Sequence, residues 1–204
     1  MLLPILVQSA NLPATESVWV YSHASSPATD EFLRIWGAGG KAVPAQPEDG
    51  EEFSFGYLKI DVTGAPSGRP TKAILVLHNI APAAFGPDQL KSNPLEARAL
   101  IGTFSAATWT YGSVLPGLDK TVFGKSTLVG SIDAKDSIEL DIDLLNGPID
   151  FSAELAQAEA SPTHALFLAL TSTLEPGGQG GAVYKVYSAA APEKSLRPEL
   201  KLEY

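Results

Sequence analysis

The stretch Phe53–Ile80, FSFGYLKIDVTGAPSGRPTKAILVLHNI, decides the fold class. It holds two apolar runs, Phe53–Val62 and Ala73–Ile80, joined by a linker built on Gly64, Pro66, Gly68 and Pro70. Glycine permits positive φ and proline fixes φ while withholding a donor, so neither helix nor ladder crosses that linker. Each run is short and rich in β-branched or aromatic residues, which predicts a strand. Leu58, Ile60 and Val62 alternate with Lys59 and Asp61, the pattern of a sheet with one buried face. Ala73, Leu75 and Leu77 share one face of the second run while Ile74 and Val76 stand on the other, which predicts a central strand covered on both sides.

Working outward, the same signals recur. Glu16–Tyr21 and Phe32–Trp36 predict short strands, the latter with Leu33 and Ile35 on one face and Phe32, Arg34 and Trp36 on the other. Strands are predicted again at Arg98–Phe104, across Ser105–Ser113 with Trp109 and Tyr111 in phase, and over Thr121–Ile132 with interruptions at Gly124 and Gly130. Ser137–Leu145 is the cleanest: Ile138, Leu140, Ile142 and Leu144 face one way, Glu139, Asp141 and Asp143 the other. His164–Leu170 is apolar on both faces, and Ala182–Ser188 and Leu200–Tyr204 close the chain as strands. One helix is predicted, over Asp150–Ala160, capped by Asp150 or Ser152, with Phe151, Leu155 and Ala158 on its buried face and Pro162 ending it. The opening MLLPILVQSA lacks a basic residue ahead of its apolar run, and residues 1–15 read as an N-terminal edge strand and lead-in, with Pro4 tolerated at an edge. About ten short strands and one helix predict an all-β fold, a two-sheet antiparallel jelly-roll sandwich forming a single domain over 1–204.

The composition bounds the function. With 204 residues, 45% hydrophobic, 18 glycines and 16 prolines, the chain fits one turn-rich β domain. A net charge of −9 without a Lys/Arg cluster argues against nucleic acid or an anionic membrane surface as partner. Cysteine is absent, which removes disulfides, thiol nucleophiles and thiolate metal sites. The chain also contains no run of transmembrane length.

Several segments resemble the DNRLRE-type domain, a jelly-roll module related to carbohydrate-binding module family 96. They are Ser17–Val20 (SVWV), Phe32–Gly37 (FLRIWG), Gly56–Thr63 with Lys72–Leu77 (GYLKIDVT, KAILVL), and Val186–Ser188 with Arg197–Tyr204 (VYS, RPELKLEY). Asp143 and the helix after it stand where that family has a turn before a helix. The resemblance runs from about residue 16 to the end. It implies a non-catalytic, carbohydrate-binding module of a secreted or cell-surface bacterial protein, extracellular and part of or attached to a larger surface assembly, with polysaccharide or surface glycan as ligand.

The candidate ligand-binding residues are Trp36, Trp109 and Tyr111, with Arg34 beside Trp36, because sugar C–H faces stack on exposed aromatic rings. The long Gly37–Glu52 loop adjoins Trp36. The bland alternative is that these rings cover the sheet or fill the core. Glu139, Asp141 and Asp143, with loop acids Asp30, Glu31, Asp49 or Glu51, offer hard oxygens for a structural calcium, against the simpler reading of a solvated strand face. No cofactor is expected otherwise. His23, His78 and His164 lack metal-ligand spacing, and a structural role is the expectation for each. His78 with Tyr57, Lys59 or Arg34 is the one set that a jelly-roll lyase would use. The run Glu175–Gly181 reads as a hairpin connection, not a phosphate loop, and no serine stands in a nucleophile elbow. A glycan-binding module is therefore expected first, a structural or adhesive sandwich second and a polysaccharide lyase a distant third.

Overall fold

The computed structural model describes residues 7–21, 24–25, 30–37, 53–80, 87–100, 102–114, 122–132, 136–174 and 183–204. Among these, the strands are β1 (Ser9–Tyr21), β2 (Ala24–Ser25), β3 (Phe32–Ile35), β4 (Ser54–Asp61), β5 (Lys72–Ile80), β6 (Glu96–Ala99), β7 (Val122–Ile132), β8 (Ser137–Asp143), β9 (Ala165–Thr171), β10 (Tyr184–Tyr187) and β11 (Glu199–Glu203). All pairings are antiparallel.

Eight strands close into a barrel in the order β11-β1-β4-β9-β6-β7-β8-β5, with β5 returning to β11. β10 and β3 branch from the far end of β5, and β2 pairs with the end of β1. Closure depends on two strands that change partners along their length. β1 pairs with β11 through Pro13, then with β4 from Ala14, with a register shift between Ala14 and Glu16. Pro13 has no N–H to offer and sits at that hand-over, where a missing donor is least costly. β7 pairs with β6 through Lys125 and with β8 from Ser126. The two walls expected from the sequence are thus joined into one hydrogen-bonded circuit. Residues 1–6 lie outside the described ones, and the remainder of the expected edge strand is not an edge: from Ser9 it is laddered to β11.

The core is what the alternations predict. Leu58 and Ile60, Leu75 and Leu77, Leu140 and Ile142, and Leu200 and Leu202 point inward and are at most 1% exposed. Phe151 and Leu155 of the helix α3 (Phe151–Ala160) join them, with the Phe151 ring edge-on to Phe123 at 5.3 Å. Asp150 caps α3 by accepting from the Ser152 N–H at 3.1 Å. Two shorter helices, α1 (Pro87–Ser92) and α2 (Tyr111–Val114), and a 3-10 turn at Lys194–Leu196 add to the one expected.

Three expected strands need correction. Ser105–Ser113 is not a strand: the Ser105 carbonyl accepts from the N–H groups of Thr108 and Trp109, both at 3.0 Å, which curls the segment into a turn that leads into α2. The strand placed at Arg98–Phe104 begins and ends earlier, at Glu96–Ala99. The interruption expected at Gly124 is absent, and β7 runs unbroken through it. There the backbone passes so near Asp143 that a Cβ would overlap its carbonyl. Gly124→Ala is accordingly expected to destabilise the fold by about 1–3 kcal/mol through overpacking. Urea unfolding, with Gly112→Ala as a control where a Cβ meets only an ordinary contact, would contradict this packing if the two variants were equally stable.

Candidate functional site

The predicted aromatic residues are not brought together. Trp36 forms a bridge with Ser54 and lays its half-buried indole against Tyr21, with ring centroids 5.5 Å apart. Arg34 rests over the Trp19 ring at 5.2 Å and lies 3.8 Å from Asp30, whose carboxylate also accepts from the Trp19 indole N–H at 3.1 Å. Trp109 is wedged between Tyr57 and Phe104 at 5.4 and 5.7 Å. It helps cover a second apolar cluster of Val18, Val20, Phe55, Tyr57 and Ala169. Burial pushes the Tyr57 hydroxyl well above the ordinary phenol range, and the approaching Trp109 indole N–H opposes that shift without forming a well-aligned bond. Tyr111 opens α2, but its side chain lies outside the described residues, as do residues 38–52 of the long loop.

These contacts define one outer wall, made by β1, β4 and β9. Its outward side chains are apolar apart from the Glu16–Lys59 pair, and the 102–114 segment lies over them, tied down where the Glu16 carboxylate accepts from the Ala106 N–H at 3.1 Å. The same carboxylate meets Lys59 at 2.5 Å, and that hydrogen bond holds Glu16 below the usual carboxylate range. Tyr57, Lys59 and Arg34 are thus each engaged elsewhere and do not join His78. The lyase set drawn from the sequence is not assembled.

The opposite wall carries polar outward rows. Alternation sends Ile74, Val76 and His78 of β5, Glu139, Asp141 and Asp143 of β8, and Glu199, Lys201 and Glu203 of β11 away from the core. The register sets His78 opposite Glu139, and Val76 between Asp141 and Glu199. Ile74 lies between Asp143 and Lys201. A groove of about 370 Å3 opens over Val76, His78 and Glu139, walled by the 3-10 turn and Arg197. A second hollow of about 320 Å3 continues it past Asp141 and shares Val76, Glu139 and Lys201 with it. The wall is rigid because Leu196 packs with Tyr187 and Ala191, and the Arg197 Nε–H donates to the Ala191 carbonyl at 2.7 Å.

Two groups in this groove keep hydrogen-bonding capacity that the protein does not use. His78 is 8% exposed; its Nε2 lies 3.4 Å from the Glu139 carboxylate, and its buried Nδ1 has no partner among the described residues. Asp141 has a buried Oδ1 without a donor among the described residues. Burial raises its pKa above the usual carboxylate range, the Glu139 charge adds to the rise, and Lys201, Lys72 and His78 counter it.

Among the described residues, no three His, Asp or Glu side chains gather as a metal would require. Asp49 and Glu51 lie outside those residues, and Asp30 is bound to Trp19. His164 donates through Nδ1 to the Glu159 carbonyl at 2.7 Å and holds a left-handed turn (φ 44°) after α3. His23 and residues 175–182 are likewise outside the described residues. Sequence reasoning singled out His78 and the β8 acids but passed over Val76, Glu199, Lys201 and Arg197. The alternation of Leu200–Tyr204 was a signal for Lys201, yet only the register makes β11 a neighbour of β5. No described helix is long and apolar enough to cross a membrane. The chain matches no protein-family model and no curated protein.

The raised Asp141 pKa has a measurable sign. The folded chain holds this proton more tightly than the unfolded chain, so stability falls as pH rises from the ordinary carboxylate value through the raised one. Asp141→Asn removes that loss. The variant should match or exceed the wild-type melting temperature at neutral pH, and its advantage should vanish in acid. A variant less stable than wild type at neutral pH contradicts this account.

Proposed function

We propose that this protein is a non-catalytic glycan-binding module of a secreted or surface-attached protein, with its sugar site in the groove over β5, β8 and β11. The observation that carries the reading is the open groove itself, which runs over β5, β8 and β11 with polar and apolar side chains side by side. The groove has the amphipathic lining that a sugar needs: Val76 and Ile74 give an apolar floor for C–H faces, and imidazole, carboxylates and Lys201 flank it. Its volume falls within the range of small-ligand sites, about 300–1,000 Å3.

The resemblance to the DNRLRE-type domain supports the same reading, and with it the extracellular setting and the larger surface assembly. We read the barrel as a flattened jelly roll, since β1 and β7 each serve both walls. The structural or adhesive alternative draws support from Trp36, Trp109 and Arg34, which are all engaged within the protein. A lyase has less: no tyrosine lines the groove beside His78 among the described residues.

A glycan array followed by calorimetry on the hits tests the proposal. His78→Ala is expected to weaken binding several-fold. Trp109→Ala is expected to bind as wild type while losing about 2–4 kcal/mol of stability, below the ~3–5 kcal/mol of a fully buried aromatic because the ring is half-buried. Loss of binding in Trp109→Ala with His78→Ala unaffected moves the site to the aromatic wall. If wild type binds no glycan, the structural alternative is favoured.

A further inference from the structure

We propose that the hollow where α3, the start of β9 and the end of β6 meet is a second ligand site, one that takes a single neutral sugar ring. It shares no lining residue with the groove over β5, β8 and β11, and it stands whether or not that groove holds a glycan. The hollow holds about 220 Å3. That is below the range of about 300–1,000 Å3 for drug-sized ligands and leaves room for one ring.

Short side chains keep the space open. Ala99 ends β6, Ala158 belongs to α3 and Ala165 opens β9, and all three line the hollow. Gly102 turns the chain at its rim with a φ of 87°, a conformation that favours glycine. The apolar part of the lining is not fully covered: Phe167 and Leu100 are each half-buried there. Phe104 stands 5.7 Å from the Phe167 ring in an edge contact, which fixes that ring in place.

The polar part comes from the helix and the turn. Glu154, Gln157 and the cap residue Ser161, spaced i, i+3 and i+7, follow one side of α3. Thr103 adds a hydroxyl from the segment after β6. Gln157 and Thr103 are exposed and Glu154 is half-buried, with none of its oxygens sealed from water. None of these three side chains has a hydrogen bond or ion pair among the described residues.

Their chemistry selects the ligand. An ionised carboxylate only accepts, whereas an amide both donates and accepts. A hydroxyl answers both groups, since it is donor and acceptor at once. An ammonium cannot accept from Gln157, and a ligand carboxylate cannot donate to Glu154. Glu154 is also the only ionisable side chain of the lining among the described residues, so an anion meets no counter-charge there. Hydroxyls around an edge and C–H groups on a face are the two surfaces of a pyranose, and Phe167 with Leu100 receives the second.

Amide chemical-shift titrations test the site, with five probes at millimolar concentration: methyl β-glucoside, methyl β-galactoside, methyl α-mannoside, sodium acetate and tetramethylammonium chloride. At least one glycoside should shift the Thr103, Gln157 and Phe167 amides saturably, while both salts leave them in place. The Trp36 and Trp109 amides should not move, since neither ring lines the hollow. Gln157→Ala changes an exposed helix position to the best helix former and should keep the fold while weakening the glycoside several-fold. Phe167→Ala should abolish the saturable shifts, with a melting curve to show that the variant folds. His78→Ala, in the groove, should leave them unchanged, which separates the fate of this site from that of the groove. The proposal is overturned if no glycoside moves the three amides, or if acetate or tetramethylammonium moves them as far. It is also overturned if Gln157→Ala and Phe167→Ala both bind as wild type, or if His78→Ala removes the shifts.

Discussion

The last strand holds the barrel shut. β11 is laddered on one edge to Ser9–Pro13 of β1 and on the other to Lys72–Val76 of β5, five residue pairs on each side. Every other feature follows from that closure. A sheet with free edges exposes unpaired N–H and C=O groups, and a closed circuit removes them. Here the closure is made by strands that leave one neighbour for another, β1 beside a register shift and β7 between two of them. Gly124 lies just before the hand-over in β7, where the backbones of β7 and Asp143 crowd each other too closely for a side chain.

Closure gives the molecule two outer walls, and their sequences send them to different fates. Outward positions of β1, β4 and β9 are filled by Val18, Val20, Phe55, Tyr57 and Ala169, which need a cover. The 102–114 segment supplies it with Phe104, Ala106 and Trp109. Outward positions of β5, β8 and β11 alternate charge with a narrow apolar strip, and they need no cover to remain in water. What they receive instead is a raised rim, the 3-10 turn with Arg197, which turns a flat face into a groove. The wall that looked functional from its aromatic residues is the packed one, and the wall that looked like a solvated face carries the open groove.

Much of this was legible in the chain. Ser137–Leu145 and Leu200–Tyr204 announce their buried faces by strict alternation, His164–Leu170 announces a strand apolar on both sides, and Asp150 announces the helix it caps. The failures share a cause. Trp109 and Tyr111 are two residues apart, as in a strand, but period two over so few positions does not separate a strand from a turn that tucks one ring inward. Likewise, His78, Glu139 and Asp141 were each visible as candidates, but a site is a matter of register. Nothing local to β8 states that Asp141 faces Val76, or that Glu199, more than fifty residues later in the chain, flanks the same valine.

The central claim is that the open polar wall, and not the aromatic one, meets the ligand. The most direct measurement is an amide chemical-shift titration of isotopically labelled protein with a glycan that binds it. The account predicts that shifts concentrate at Val76, His78, Glu139, Asp141, Arg197 and Lys201, with Trp36, Trp109 and their neighbours unmoved. Shifts confined to the aromatic wall, with the β5, β8 and β11 amides unchanged at saturation, would contradict it.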